Sequence, residues 1–447
     1  MDTINRREFL RASVCAVAAT AAASDAIAAT DKGSAAPTPA EKPVGKLIVS
    51  SPILMNAAET SVGVTFEVGA DASGWVEYSD SPDMSNAVRA YSGGRGLKTV
   101  DDRLAHIRLT GLKPSARYWY RIGADRISYK NGYAMKNLGL EIDPKVRSFS
   151  TLGAGKNGTF CVINDTHDRK DVLDLLLSKI GKIKPTALVW NGDATNVTET
   201  KDHAIRIFLH THENHPEYAA ETPLLFVNGN HDLRGRFARS MEELLMLRDP
   251  AERSGEFYEL GRNFVQRMGD VALIGMDTGE DKLDTNPLFA GIYRMREYRE
   301  KQARWLEETV KTPAVATAKY KVVFCHIPLF DSRPNANPGD LAPADTAPGY
   351  PKNWAAWQRT CANLWGPIFE RAGVQLVIAG HQHCFRYDAP TAERPWAQIV
   401  GGGCGMDKTR SDYPTVIQGS VKDGKLQIVI HDVLNDRIAG EYTFDFS

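Results

Sequence analysis

The sequence has few cysteines, no excess of charge of either sign and only one long apolar run in its 447 residues. Its six cysteines lie far apart and form no Cys-x-x-Cys pair, which excludes a zinc ribbon and a disulfide-stapled mini-protein. The 54 Lys and Arg residues balance 55 Asp and Glu residues, so no overall charge favours a nucleic acid or an anionic bilayer as a stable partner. With 43% apolar residues, the chain can form about two or three domains with ordinary cores.

The one long apolar run, residues 14–29, is mostly alanine and is too weakly hydrophobic for a membrane span. It follows a segment that contains Arg6-Arg7 and resembles the twin-arginine export signal of bacteria. Ala26-Ile27-Ala28 supplies a small-x-small cleavage pattern, so we expect residues 1–28 to be a signal peptide. The mature protein is then periplasmic or secreted and has no membrane span. The residues before Cys15 disfavour lipid attachment there.

Two regions that differ in composition lie between the signal peptide and residue 153. Residues 29–45 are rich in Ala, Pro, Thr and Lys without apolar periodicity, which predicts a flexible linker. Residues 46–152 contain short alternating apolar runs separated by turn residues, a pattern typical of an all-β sandwich. Within them, Leu112 to Tyr120 and the later Phe149-Ser150-Thr151 resemble a fibronectin type III domain of the kind that precedes the catalytic domain of purple acid phosphatases.

Residues 157–447 have the sequence pattern of an α/β (α+β) domain. Short apolar runs alternate with longer helical stretches, and strand-like runs return near the end of the chain around a hairpin turn at Asp423-Gly424. This pattern predicts mixed sheets with antiparallel edges.

Five apolar runs in this region are each followed at once by carboxylate, amide or imidazole side chains. These are Asp165 and His167, then Asp193, then Asn230, His231 and Asp232, then His326, and finally His381 and His383. In an open α/β sheet the ligand site lies outside the carboxyl ends of the strands, so we expect these side chains to converge. Oxygen and imidazole ligands of this kind suit zinc, iron or manganese.

The order of the five motifs, from Asp-x-His to Gly-His-x-His, resembles the calcineurin-like metallophosphoesterase superfamily from about residue 159 to the C-terminus. The resemblance implies two facing mixed β-sheets flanked by helices, and two divalent or mixed-valence ions of iron, zinc or manganese. It also assigns seven ligands to these ions: Asp165, His167 and His383 for the first, Asn230, His326 and His381 for the second, and Asp193 as the bridge between them.

Three further residues belong to the expected reaction site. By the same resemblance, His231 protonates the leaving oxygen or stabilises the pentacoordinate phosphorus, with Asp232 as its orienting partner. Arg234 follows closely enough to contact a substrate phosphate, and a solvated helix charge is an equally good interpretation.

The sequence also departs from the purple acid phosphatases. Asn196 stands where those enzymes have the tyrosine that colours their iron, and His167 has no counterpart in their first motif. The metal chemistry is therefore expected to follow the general superfamily. Residues 331–353, a proline-rich stretch after His326, have the character of a lid or substrate-binding wall.

These features predict an exported, metal-dependent phosphoester hydrolase in which a metal-bound hydroxide attacks phosphorus directly. No Ser, Cys or Asp outside the ligand set is placed as a nucleophile. We expect a small-molecule phosphomonoester as substrate, as for an acid phosphatase. One alternative is a phosphodiesterase for a cyclic nucleotide, a nucleic acid or a glycerophosphodiester. The other is a cell-surface binding protein with a vestigial phosphatase domain.

Overall fold

The computed structural model describes residues 45–247, 257, 260–330 and 350–445, with the backbone alone for residues 350–359. The predicted signal peptide with Cys15, the predicted linker up to residue 44, and residues 331–349 of the predicted lid lie outside these ranges. Within the described part of the chain, no helix is both long and apolar enough to cross a lipid bilayer.

The first hundred described residues form strands. They are β1 (Ile53–Met55), β2 (Val62–Glu67), β3 (Ala72–Ser79), β4 (Val88–Tyr91), β5 (Gly93–Gly94), β6 (Leu97–Lys98), β7 (Leu104–Leu109), β8 (Arg117–Tyr129), β9 (Met135–Ile142) and β10 (Arg147–Ser150). Alternating apolar residues explain them. In β2, for example, Val62, Val64 and Phe66 share one face of the strand and are fully buried.

The rest of the chain contains strands and helices. The strands are β11 (Thr159–Ile163), β12 (Ala187–Asn191), β13 (Leu224–Val227), β14 (Phe264–Met268), β15 (Val271–Gly275), β16 (Tyr320–Phe324), β17 (Leu376–Ala379), β18 (Arg386–Asp388), β19 (Ala397–Val400), β20 (Thr415–Lys422), β21 (Lys425–Asp432) and β22 (Arg437–Phe444). The helices are α1 (Lys170–Ile183), α2 (Lys201–Phe208), α3 (Glu242–Leu245), α4 (Met295–Thr309), α5 (Pro313–Ala316) and α6 (Tyr350–Ala372).

Two mixed sheets dominate the fold. The first has nine strands in the order β22-β21-β20-β11-β12-β13-β1-β2-β7, and the second has six in the order β14-β15-β16-β17-β19-β18. Strands β11 to β13 are parallel in the first sheet, as are β15, β16, β17 and β19 in the second. Antiparallel strands lie at the edges, and β20 and β21 form the predicted hairpin. The predicted α/β architecture of two facing mixed sheets is confirmed.

Apolar side chains of the two sheets meet in a shared core, where the rings of Phe160 and Phe324 pack edge to face with centroids 5.7 Å apart. Helices cover the outer faces. Helix α1 buries Val172, Leu176 and Ile180, which recur at helical spacing, against the first sheet. Helices α4 and α6 cover the second sheet in the same way.

A third sheet packs on the N-terminal strands at the end of the first sheet. It has the order β10-β8-β3-β4, with β9 paired to β8. The Tyr118 hydroxyl accepts a hydrogen bond from the Lys113 N–H at 2.9 Å, which closes the turn before β8. Because β1 pairs in parallel with β13, the first sheet continues from the N-terminal strands into the later ones. The likeness to a fibronectin type III domain and the boundary near residue 152 stay predictions.

Candidate metal centre

The predicted metal ligands follow five parallel strands at one edge of the two sheets. Strands β11, β12 and β13 come from the first sheet and β16 and β17 from the second, so the site forms only when the sheets pack face to face. The structure brings together the side chains of Asp165, His167, Asp193, Asn230, His326, His381 and His383.

Five of these seven residues have a left-handed backbone. Their φ angles are 51° for Asp165, 47° for His167, 49° for Asp193, 69° for His381 and 54° for His383. This conformation costs a residue with a Cβ atom about 1–2 kcal/mol. It persists where the surrounding structure enforces it, and such residues cluster at functional sites. The sharp turns after the strands therefore serve to aim side chains into one space.

One group of possible ligand atoms comes from Asp165, His167 and His383. The Nε2 atoms of the two histidines lie 3.0 Å apart, and the Nε2 of His383 lies 3.1 Å from the Asp165 Oδ1. Three ligand atoms that converge in this way, from a carboxylate and two imidazoles, fit a single divalent cation.

A second group comes from Asp193, His326 and His381. The His326 Nδ1 lies 2.9 Å from the Asn191 carbonyl oxygen, to which it donates, so its Nε2 is the ring nitrogen that faces the site. The Asn230 Oδ1 lies 3.0 Å from the His381 Nδ1, which adds a fourth side chain to this group.

Asp193 lies between the two groups. Its Oδ2 is 3.1 Å from the His326 Nε2 and 3.6 Å from the His167 Nε2, so one oxygen faces imidazoles of both groups. Its Oδ1 accepts the His231 backbone N–H at 2.9 Å. A Cβ atom on Gly229 would lie 2.1 Å from this Oδ1, so only glycine fits beside the carboxylate.

The buried carboxylates and histidines of the site favour a bound cation. Burial lowers the pKa of His326, but the carboxylates of Asp193 and Asp165 outweigh it and raise this pKa to about 10. Burial likewise raises the pKa of Asp165, and the neighbouring histidines outweigh it and hold the carboxyl ionised. The buried Asp165 Oδ1 and His326 Nε2 make no hydrogen bond. A metal ion would satisfy both atoms and replace the proton, so the residues present fit a metal centre.

These residues lie in the part of the chain that matches a known family. A sequence profile of the calcineurin-like phosphoesterases matches residues 158–385, just over half of the chain. The chain belongs to the calcineurin-like phosphoesterase family. It is accordingly a metal-dependent phosphoester hydrolase, and its family uses a dinuclear metal centre.

Solved structures with a similar fold agree with this membership. Purple acid phosphatase PPD1 from yellow lupin (Lupinus luteus) seeds is 12% identical, with a TM-score of 0.58 over 88% of this chain and 74% of that chain. PhoD is 11% identical, with a TM-score of 0.61 over 92% of each chain. No curated protein sequence matches. At such identities the likeness shows the fold alone.

The calcineurin-like site also contains His231, which is grouped with His167 and Asp193. Its Nδ1 lies 2.9 Å from the Asn196 carbonyl oxygen, which therefore orients the ring. The orienting role of Asp232 stays a prediction. The Asp232 carboxylate accepts the backbone N–H of Gly229 at 2.8 Å and of Thr195 at 3.0 Å, so it stabilises two of the loops that carry ligands.

Asn196, which replaces the tyrosine of the purple acid phosphatases, contacts two histidines of the site. Its carbonyl oxygen serves His231, and its side-chain Oδ1 lies 3.1 Å from the Nδ1 of His167. Asp168 holds Asn196 in turn, because its Oδ2 accepts both the backbone N–H and the side-chain amide of Asn196 at 3.0 Å. The sequence indicated Asn196 only as a departure from a related family.

A sixth strand end contributes charged residues that the sequence analysis missed. Strand β15 is followed by Glu280 and Asp281, whose side chains are 0% and 3% exposed. Both carboxylates bind Arg234, and the Nη1 of this arginine lies 3.3 Å from the His231 Nε2. Burial and the adjacent Asp281 raise the pKa of Glu280 to about 7. The available signal was a pair of adjacent carboxylates in the loop that follows a strand at the same edge of the fold.

Proposed function

We propose that this calcineurin-like phosphoesterase is a dinuclear-metal phosphomonoesterase. The observation that carries the proposal is the pair of ligand groups on either side of Asp193, with His231 next to His167 and Asp193. In such a centre, one ion is held by Asp165, His167 and His383, and the other by Asn230, His326 and His381. The imidazole and oxygen ligands suit iron, zinc or manganese.

A pair of bound divalent ions supplies a nucleophile at neutral pH and neutralises the phosphoryl oxygens. Proton transfer to the leaving group is left to side chains of the protein. The His231 Nδ1 donates to the Asn196 carbonyl, so its Nε2 is the ring atom left to face the substrate, and it protonates the leaving oxygen when the ring carries a second proton there. The Asp193 carboxylate supports this placement because it accepts the His231 backbone N–H.

The preference for a monoester is supported by the fold, which resembles a purple acid phosphatase. Export is supported by the Arg6-Arg7 motif and the alanine-rich run after it, which favour a periplasmic or secreted location. A small-molecule phosphoester is the expected substrate. The balanced charge of the chain gives no support to a nucleic acid partner.

The test compares one leaving group in two substrates. An aryl phosphate monoester and the matching bis-aryl diester are assayed with protein loaded with Mn²⁺, Zn²⁺ or iron. We expect the kcat/KM for the monoester to exceed that for the diester by about 10-fold or more, which corresponds to about 1.4 kcal/mol. A higher value for the diester with every metal would contradict the proposal and favour the diesterase alternative.

A further inference from the structure

Arg234 is held more firmly than a surface arginine. Its Nε donates to the Glu280 Oε2 at 2.9 Å and its Nη2 to the Oε1 at 2.7 Å, which is the paired geometry that fixes the plane of a guanidinium group. The same Nη2 donates to Asp281 at 3.1 Å. Its side chain is 24% exposed, whereas the two carboxylates are almost fully buried. The guanidinium is thus fixed from its buried side.

The other side of the guanidinium faces the reaction site. Among the described residues, the Nη1 of Arg234 has one hydrogen-bond partner, the His231 Nε2 at 3.3 Å. His231 itself lies with His167 and Asp193 in the metal centre. A phosphoryl group bound at the centre would therefore find both the His231 Nε2 and the Arg234 Nη1 at its edge.

The carboxylates that hold Arg234 are themselves supported. Lys282 places its Nζ 2.5 Å from the Asp281 Oδ1 and 3.7 Å from the Glu280 Oε1, which balances the second buried negative charge. The Asp281 backbone N–H donates to the Glu280 Oε1 at 2.9 Å. Two cations and two carboxylates thus form a cluster that includes the arginine. Such a cluster is costly to bury and is best explained by a geometric task.

We propose that Glu280 is a positioning residue that aims the Arg234 Nη1 at a non-bridging phosphoryl oxygen of the substrate, and that this contact selects dianionic phosphomonoesters over diesters. The proposal rests on the proposed function and deepens it. A monoester presents three non-bridging oxygens with close to two negative charges, whereas a diester presents two with one. A fixed N–H donor beside the metal ligands has a further anionic oxygen to bind only in the monoester.

Three variants of the metal-loaded full chain test this inference. Arg234→Gln removes the donor, Glu280→Gln replaces the carboxyl group that fixes it with an amide, and Arg89→Gln is the control. Arg89 is also an arginine bound by a glutamate, Glu77, and it lies on β4, far along the chain from the metal ligands. Each variant is assayed on the monoester and the diester, and its binding of inorganic phosphate is measured by calorimetry.

We expect Arg234→Gln to lower the monoester kcat/KM by about 10- to 100-fold, the range for a hydrogen bond to a charged group. The diester value should change by less than about 3-fold. Glu280→Gln should shift the monoester-to-diester ratio in the same direction by about 3- to 10-fold, and both variants should raise the Kd for phosphate. Arg89→Gln should change none of these quantities.

Metal content and Tm separate this effect from misfolding, and Arg234→Lys replaces the Gln variant if the latter does not fold. Equal loss on both substrates, or a Glu280→Gln variant that matches Arg89→Gln, would overturn the inference. The failure of the proposed function has a different signature: a wild-type protein that prefers the diester. A wild-type preference for the diester would overturn the inference as well. If the wild type prefers the monoester and the variants keep its monoester-to-diester ratio of kcat/KM, the inference alone is overturned.

Discussion

Asn196 connects two histidines that have different tasks in the proposed reaction. Its side chain faces His167, a predicted ligand, and its backbone carbonyl faces His231, the predicted proton donor. Partners of this kind fix the tautomer and the ring orientation of a metal-binding histidine. Since the two contacts use different atoms of one residue, a side-chain substitution removes one of them and leaves the other.

We predict that Asn196→Ala weakens the binding of one metal ion by about 10- to 100-fold, the usual effect of removing the partner of a ligating histidine. The ion affected is the one held by His167, and the second ion should stay bound. Chelator competition measures both affinities. Asn214→Ala is the control, because Asn214 donates to the half-buried Asp174 at 3.0 Å, away from the metal ligands. Unchanged affinities, or the loss of both ions together, would show that Asn196 does not act through His167.

At this scale the sequence predicted which side chains meet, because motifs after parallel strands share one edge of the fold. It did not predict the contacts of Asp232, which was paired with His231 but whose carboxylate accepts the backbone N–H groups of Gly229 and Thr195. His231 and Asp232 lie in a 3-10 turn, His231–Leu233, where neighbouring side chains point in directions about 120° apart. The task of Glu280 depends on a contact with Arg234 across 46 positions, which no local pattern contains.

The strands themselves carry a titratable group with a consequence for stability. His106 lies on β7, and burial lowers its pKa to about 4, while its Nδ1 makes no hydrogen bond. An unfolded chain binds a proton at this residue below about pH 6.5, but the folded chain does not bind it until about pH 4. The folded state therefore loses stability as the pH falls through this range.

We predict that His106→Gln reduces the acid sensitivity of the protein. Between pH 7.5 and pH 5, the histidine lowers the free energy of unfolding by up to about 2 kcal/mol. Over the same pH change, the Tm of the variant should therefore fall by a few degrees less than that of the wild type. Arg108→Gln on the same strand is the control and should change Tm equally at both pH values. If the Tm of His106→Gln and that of the wild type fall equally between pH 7.5 and pH 5, the lowered pKa of His106 does not cause the acid sensitivity.

Alternating or continuous apolar runs made most strands predictable, including the hairpin at Asp423-Gly424. The pairing of β1 with β13 was not predictable. Strand β1 has three residues and meets β13 through Met55 and Leu224, so no sequence pattern specifies this parallel contact. Its position follows from packing of the N-terminal strands against the rest of the chain.

In the whole molecule, the N-terminal strands and the metallophosphoesterase region share a sheet. The Tyr120 hydroxyl donates to the Ala220 carbonyl at 2.5 Å, and Arg147 binds Glu217 at 2.6 Å. Ile53, Met55 and Leu104 also belong to the core under α1 and α2. We propose that residues 46–152 form a domain whose removal damages the second one, although all the predicted metal ligands lie after residue 152.

We predict that a chain of residues 155–447 aggregates, or melts at least about 10 °C below a chain of residues 46–447. Truncation exposes the edge of β13 and part of the α1 core, and unpaired edges and apolar patches of this kind promote association. Light scattering and thermal melting compare the two chains directly. A monomeric 155–447 chain with an unchanged Tm would show that the shared sheet contributes little to stability.

A hydrolytic site completed by two metal ions can be tested directly by metal titration. Metal-stripped protein is titrated with Mn²⁺ or Zn²⁺ while the hydrolysis of an aryl phosphate monoester is recorded. If the two ligand groups on either side of Asp193 hold one ion each, the rate should rise until two equivalents per chain have been added and then stay constant. Saturation at one equivalent, or a rate that does not depend on metal, would contradict the account.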